Sequence, residues 1–406
     1  MRILITAAGS HGDVAPYTGL GVRLSGTGHE VALATHRSYA SMVEQCGLEY
    51  RPLPGDPRAD GAAAQGKGGL IRKAKAFVGE LGRGITEVAD PQVDVLLLST
   101  TTAPLGWHVA EAVGAASVGV YLQPVEPTGE FAPVVGGARS LGRWGNRAAG
   151  RVALGVVDRI HRDAVRELRR RLGLPPLSGQ AMRRRLEREQ WPVLHGFSAA
   201  VVGRPVDWRP GLEVVGNWWP AGPEALPREV EEFLAAGTAP VFIGFGSMGS
   251  GQGERLSRIA VEALRSAGLR GVLQSGWAGL AADSDDVLTV GSIGHAALFP
   301  RMAAVVHHAG AGTAAAGLRA GVPSVPVPVT ADQPFWAGRL AAIGVAVEPI
   351  PFGELTAERL AGAIRQAVAQ PSYRKRAAAS ARRMAKEDGA GSVVKLVADL
   401  ARRAGS

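Results

Sequence analysis

Three short stretches hold the residues best able to do chemistry. His308-Ala309-Gly310-Ala311-Gly312-Thr313 follows the apolar run Ala303 to His307 and precedes an Ala-rich stretch of helical character. Glycines let backbone N–H groups turn toward a ligand, and a helix N-terminus concentrates partial positive charge, so such a loop suits phosphate. Thr313 would add a hydroxyl and His308 an imidazole; a tight strand-to-helix turn with a buried histidine accounts for the same residues. His11 and Asp13 follow Arg2 to Thr6, at the end of a strand where parallel sheets place ligands, and either side chain can accept a proton. Capping of the next helix is the other role open to Asp13. Asp332-Gln333 offers a carboxylate and a carboxamide, a pair that recognises a polyol well and is otherwise an ordinary polar loop, while Trp336 just beyond reads as core.

Two further patterns are weaker. Gly244-Phe245-Gly246-Ser247-Met248-Gly249 fits G-x-G-x-x-G between a strand and a helix. The next strand, Gly271 to Gln274, ends in Ser275-Gly276-Trp277, and its counterpart near the N-terminus ends in Thr35-His36. Neither supplies the acid that would bind a ribose, so a nicotinamide dinucleotide is disfavoured. Asp283-Ser284-Asp285-Asp286 is similar to acidic triplets that chelate a metal bridging nucleotide phosphates, but it precedes a strand and reads as a polar turn; no metal is expected.

These residues need a scaffold that brings strand ends together. Strands at Arg2 to Thr6, Glu30 to Thr35, Val93 to Leu98 and Ser117 to Leu122 alternate with helices, the first from about Pro16 to Ser25 and the second ending near Cys46. Segments 55–70 and 125–150, rich in Gly, Ala and Pro, and an Arg-rich helical stretch over 151–190 interrupt that alternation. It restarts with strands at Pro240 to Phe245, Gly271 to Gln274, Val287 to Val290, Ala303 to His307 and Ser324 to Val327, and ends in a helical tail from about Thr356. The pattern predicts two doubly wound parallel sheets, and 406 residues suffice for two cores of about 200 each.

Composition narrows the function classes. A chain that is 46% hydrophobic and 20% charged is not disordered. One cysteine, Cys46, excludes a disulfide framework and a multi-cysteine zinc site and fits a reducing compartment; the short N-terminal apolar run argues against a leader, so a cytoplasmic location is expected. The net charge of +9 raises nucleic acid as a partner. With only 5% aromatic residues, and arginines grouped at 166–171, 183–188 and 374–383 in what read as solvated helix faces, nucleic acid is disfavoured and weak attraction to an anionic membrane is the next reading.

Taken together, Gly9-Ser10-His11-Gly12-Asp13-Val14-Ala15-Pro16, Arg204-Pro205-Val206-Asp207-Trp208, Gly244 to Met248, Ser275 to Leu280, and His307 to Thr313 running on to Asp332-Gln333-Pro334-Phe335-Trp336 resemble the family 1 nucleotide-sugar-dependent glycosyltransferases of GT-B fold. The resemblance covers nearly the whole chain and is closest to the branch of bacterial glycopeptide-antibiotic glycosyltransferases and sterol glucosyltransferases. It implies two Rossmann-like domains facing across a cleft: an acceptor-binding domain over 1–210, a linker over 211–221, a nucleotide-sugar domain over 222–380 and a helical tail over 381–406 that packs back toward the first domain.

By the same resemblance Asp13 is the general base, with His11 a rival, and Ser10, His11 and Gly12 lie beside the donor phosphates. His308, Gly310, Ala311, Gly312 and Thr313 hold the diphosphate; Gly246, Ser247, Ser275, Trp277, Ile293 and Gly294 line the nucleotide; Asp332 and Gln333 bind sugar hydroxyls. The implied reaction is inverting, metal-independent transfer of a hexose from UDP-glucose, or from a dTDP-sugar, to a hydrophobic hydroxylated small molecule. The apolar, Pro/Gly-rich segment near Phe131 to Val135 suggests from its own residues a hydrophobic acceptor such as a polyketide, sterol or phenolic compound, and packing accounts for it equally. Alternatives are a nucleotide-sugar epimerase, a transferase for lipid-linked acceptors and a silent auxiliary subunit, and a monomer or homodimer is expected. Three residues depart from the family pattern. His11 replaces a usual arginine, Gly294-His295-Ala296-Ala297 differs from a Pro-His pattern, and Ala309 replaces a usual glycine, which the loop tolerates if Ala309 keeps negative φ.

Overall fold

Strands such as Arg2–Thr6 and Val95–Leu98 read as near-continuous apolar runs, the signature of parallel strands covered on both faces. The computed structural model describes residues 1–56, 66–135, 139–222, 225–246, 248, 251–282 and 284–404. In it β1 (Arg2–Thr6), β2 (Glu30–His36), β3 (Glu49–Leu53), β4 (Val95–Leu98), β5 (Ala116–Tyr121), β6 (Val193–His195) and β7 (Leu212–Val214) form one sheet in the order 3-2-1-4-5-6-7. A second sheet holds β8 (Val241–Gly244), β9 (Gly271–Gln274), β10 (Val287–Val290), β11 (Ala304–His307) and β12 (Ser324–Pro326) in the order 10-9-8-11-12. Every pairing between these strands is parallel. Strand order reverses beside β1, where β4 is added, and beside β8, where β11 is added. Crevices at such reversals, outside the carboxyl ends of the strands, are where α/β sheets bind ligands.

Helices α1 (His11–Ser25), α2 (Ala40–Gln45), α3 (Gly66–Val88), α4 (Ala103–Val113), α5 (Gly142–Arg171) and α6 (Gly179–Arg188) belong to the first unit. The second carries α7 (Arg228–Ala235), α8 (Gly253–Ala267), α9 (His295–Leu298), α10 (Ala311–Arg319), α11 (Gln333–Ala342), α12 (Ala357–Ala369) and α13 (Pro371–Met384), and α14 (Gly389–Ala404) closes the chain. Val393 and Val397 of α14 are fully buried in the cluster formed by β1, α1 and β2, so the last helix completes the first core.

The two units meet through side chains. Phe131 packs edge-on against Phe335 at 5.3 Å and Phe197 against Trp336 at 5.7 Å. Arg339 donates to the Val201 carbonyl. The chain between the units runs over α1, where Gly19 leaves no room for a side chain: a Cβ there would stand 1.8 Å from the Trp219 carbonyl oxygen.

Several expectations are corrected. Helix α1 starts at His11, five residues before Pro16, because Ser10 and Asp13 close a capping box around a stretch whose glycines suggest a loop. Pro16 therefore sits inside the helix. Helix α5 starts at Gly142 rather than 151. The arginine groups are not uniformly solvated: Arg169 is 2% exposed, held by Glu111 at 2.6 Å and His108 at 2.9 Å, and Arg374 donates to the Met302 and Ala303 carbonyls. Of the two readings open for Phe131 to Val135, packing holds for Phe131 and Val134, which are buried in the inter-unit cluster.

Candidate active site

The first strand-to-helix crossing sets Asp13. Asp13 lies in the first turn of α1, and its Oδ2 accepts from Ser10 N at 2.9 Å and Ser10 Oγ at 2.8 Å. Gly9, at φ +140°, is required there, since a Cβ would stand 2.7 Å from that oxygen. His36 at the end of β2 accepts the Gly9 N–H at 3.0 Å and so braces the turn from the neighbouring strand. Tyr17 donates to the Val120 carbonyl at 2.6 Å, which fixes α1 against β5. Gln123, two residues past β5, then reaches the free Oδ1 of Asp13 at 3.4 Å. Thr100 donates to the Gln123 Oε1, so the amide NH2 is the end that faces the carboxylate.

His11 is exposed at the start of α1, edge-on to Tyr39 at 6.2 Å.

The second crossing has the same topology and different contents. His307, fully buried at the end of β11, accepts the Ala309 N–H at its Nδ1, 3.0 Å away, and holds the turn. Ala309 adopts φ +62°, which corrects the expectation of negative φ: the histidine behind the loop compensates a left-handed alanine. The buried histidine of the turn is thus His307, and His308 projects into the crevice. The His308 ring lies between Gly310 and Gly246; a Cβ on these would come within 2.5 Å of Nε2 and 2.9 Å of Cε1. Its Nδ1 is buried with no partner among the described residues, and burial pushes its pKa down to about 4, so the ring is neutral near pH 7. Gly310 caps α10, whose first turn, Ala311, Gly312 and Thr313, contains no acid to compensate its exposed amides.

Asp332 caps α11 and accepts from Trp336 Nε1 at 2.9 Å. Burial is the main cause of its raised pKa; the charge on Asp13 adds to it, and hydrogen bonds from Trp336 and Gln123 oppose it. Asp13, Gln123 and Asp332 therefore form one constellation across the two units. Gln333 contributes less than expected, because its Oε1 accepts the Val329 and Thr330 N–H groups at 2.8 and 3.1 Å.

The remaining candidates line the β8 and β9 ends. Gly246 (φ +58°) accepts the Trp277 N–H at 2.9 Å, and a Cβ on Gly276 (φ +53°) would meet the same carbonyl at 2.6 Å. Trp277 is 39% exposed. Ser275 spends its hydroxyl on the Val290 carbonyl at 3.2 Å, Ile293 packs partly into the cluster beneath α9, and Gly294 is exposed as the α9 cap. Ser10 caps α1 and Gly12 is exposed in its first turn. Ser247 and Asp283 lie outside the described residues; Ser284 forms a bridge to Val287 that leads into β10.

Sequence reasoning missed Gln123, His36 and the two positioning roles of His307 and Trp336. Gln123 was within reach, since it follows β5 as Asp332 follows β12. The others act through partners distant in sequence or through a single ring nitrogen, and no local pattern carries that.

Two family models match the chain: "Glycosyltransferase family 28 N-terminal domain" over residues 3–95 and "Erythromycin biosynthesis protein CIII-like, C-terminal domain" over 275–400. The chain is 35% identical to O-mycaminosyltylonolide 6-deoxyallosyltransferase of Streptomyces fradiae, over 99% of this chain and 98% of that one. It is 34% identical to sterol 3-beta-glucosyltransferase UGT80A2 of Arabidopsis thaliana over 97% of its own length, and spans 65% of that relative. The crystal structure of CalG4, the calicheamicin glycosyltransferase, superposes with a TM-score of 0.73 at 18% identity, covering 99% of this chain and 98% of that one. That likeness concerns the fold.

Proposed function

Because this chain belongs to the family 1 glycosyltransferases of GT-B fold, we propose that it transfers a hexose, with inversion, from a nucleoside diphosphate sugar to a hydroxyl of a hydrophobic small molecule. The observation that carries this reading is Asp13 at the end of β1, with its Oδ1 facing the Gln123 amide at 3.4 Å, while α10, with its open end, packs against α1.

Asp13 Oδ2 is held by Ser10, which leaves Oδ1 to accept the proton of the acceptor hydroxyl as its oxygen attacks the anomeric carbon. The bond to the diphosphate breaks on the opposite face. Its charge is received by the α10 amides, Thr313 and the His308 imidazole, so no cation is needed. Asp332 accepts from sugar hydroxyls, oriented by Trp336. His11, exposed at the start of α1, is the second candidate for the base and a candidate phosphate contact. The fully hydroxylated sugar that a carboxylate selects favours UDP-glucose. A dTDP-deoxysugar is the second reading, supported by the 6-deoxyallosyl transfer in the name of the Streptomyces fradiae relative. The names of the relatives suggest a macrolide-like or sterol-like acceptor.

The test is release of nucleoside diphosphate from UDP-glucose and from dTDP-glucose by the purified chain, with chelator, across hydroxylated hydrophobic acceptors and without acceptor. Acceptor-dependent release with a β-glycoside product is expected. Release that needs a divalent cation, or an α-glycoside, overturns the mechanism; turnover of donor without acceptor points to an epimerase or hydrolase.

A further inference from the structure

Among the described residues, helix α5 presents an uncovered face. Leu141 at its N-cap is 64% exposed, Trp144 88%, Val152 68% and Val156 50%. Tryptophan is among the residues most buried on average, so a ring this exposed, followed by two exposed valines on the same helix, marks a surface with a partner. At about 100° per residue, Trp144, Val152 and Val156 share a sector of roughly 140° with Arg151 and Arg159.

The charge on this helix is one-sided. Its three carboxylates are all spent: Asp158 pairs with Arg183, Asp163 with Lys75 at 2.9 Å, and Glu167 with Arg170 and Arg171 at 2.7 Å. Arg151 and Arg159 have no carboxylate within 4 Å among the described residues. No helix is long and apolar enough to cross a membrane among the described residues, so the face is suited to lie on a bilayer and not to span it. It also starts next to the crevice: Asn146 donates to the Gly129 carbonyl at 3.1 Å, and Phe131 of that loop meets Phe335 of the other unit.

We propose that this face of α5 docks the protein on an anionic lipid surface, with Trp144 and the valines in the headgroup boundary and Arg151 and Arg159 on lipid phosphates. A second copy of the chain is disfavoured as occupant, because a self-contact would bring unpaired arginines together, whereas a phosphate-lined surface complements them. Docking does not depend on glycosyl transfer.

The test is co-sedimentation of the full chain with vesicles of phosphatidylcholine containing about one third phosphatidylglycerol, against phosphatidylcholine alone. Binding about tenfold stronger to the anionic vesicles, and weakened by about 0.5 M salt, is expected. Trp144→Ser should weaken it about fivefold, and the double variant Arg151→Gln, Arg159→Gln about tenfold or more, with unchanged thermal unfolding. No binding, equal binding to both vesicles, or wild-type binding by folded variants overturns the proposal. So does a dimer in sedimentation velocity that Trp144→Ser dissociates. No sugar nucleotide is present, so failure of the transferase reading leaves this result untouched.

Discussion

The crossings from β1 to α1 and from β11 to α10 both border the point where strand order reverses in their sheets, and they use a helix N-terminus in opposite ways. In the first, the positive end of the helix is met from within, since Asp13 reaches back to the Ser10 N–H. In the second the first turn holds only Ala311, Gly312 and Thr313, and nothing acidic meets the amides. One helix end positions a carboxylate of the protein, while the other has room for an anion, which the proposed mechanism supplies as the donor's diphosphate. Under the proposed mechanism a single motif holds a base in one unit and receives a leaving group in the other.

The largest effect should come from removing the held group. Asp13→Asn can keep the bond from Ser10 and with it most of the cap, so stability should fall by about 1 kcal/mol or less. Turnover should fall by roughly 10²- to 10⁴-fold with diphosphate affinity retained, measured by steady-state kinetics and calorimetry. Turnover within a fewfold of wild type would remove Asp13 from the role of base.

Making the second crossing resemble the first is the next test. Gly312 has open space around a Cβ, so Gly312→Asp should fold and add a carboxylate to the first turn of α10. The helix gains slightly, and the dissociation constant for UDP or dTDP should rise about tenfold or more by charge repulsion. Unaltered affinity for both nucleotides would place the diphosphate elsewhere.

Asp332→Asn separates stability from function. The folded pKa of Asp332 is raised, so the carboxyl stabilises the fold below its ordinary range and that contribution is lost as pH rises through the folded value. Asparagine can still accept from Trp336 and carries no charge. The expected outcome is stability equal to or above wild type at pH 7, with kcat/KM for UDP-glucose lower by about tenfold or more. A less stable variant with intact kcat/KM would mean that Asp332 is only a helix cap.

Much of this contrast was legible in the sequence. Apolar strand runs and glycine-rich turns give the two parallel sheets, because burial on both faces leaves no alternation to misread. The loop from His308 to Thr313 stands out because glycine and helix onset coincide there. The start of α1 was obscured: Gly9 and Gly12 read as a loop, and the capping box that nucleates the helix has its acid at the very residue that also suggests catalysis. His307 and His308 are adjacent and chemically identical in sequence. Only strand register shows that one faces the interior and the other the crevice.

Acidity should act on both crossings and more strongly on the second, since at the first only His36, the acceptor of the Gly9 N–H, has a pKa lowered by burial. Burial pushes His307 down to about 3 and His308 and His295 to about 4, and all three belong to the α9–α10 side of the crevice. Their folded values lie below the ordinary 6.5, so the stability they confer is complete above pH 6.5 and is lost as pH falls toward 4, because the unfolded chain takes up protons that the folded one refuses. Each contributes at most about 1.4 kcal/mol per pH unit in that window. Hydrogen exchange at pH 7 and pH 5 should therefore show residues 304–320 losing protection before residues 2–20. Simultaneous loosening of both segments would remove the electrostatic distinction between them.

The smallest effect concerns backbone strain. Ala309 and Ala331 are both non-glycine residues at positive φ, +62° and +57°, and both follow strands of the second sheet; neither has a counterpart at the first crossing, where Gly9 takes that role. Left-handed alanine costs about 1 kcal/mol relative to glycine, partly offset because glycine loses more freedom on folding. Ala309→Gly should therefore change the unfolding free energy by about +0.5 kcal/mol, read from urea midpoints, while the bond from its N–H to His307 is kept. If the strain helps to aim the loop, the same variant should also bind nucleoside diphosphate slightly less tightly, since a glycine there samples conformations that alanine excludes. A variant that is more stable and binds as tightly as wild type would show that His307 alone sets the loop and that the left-handed alanine is tolerated without being used.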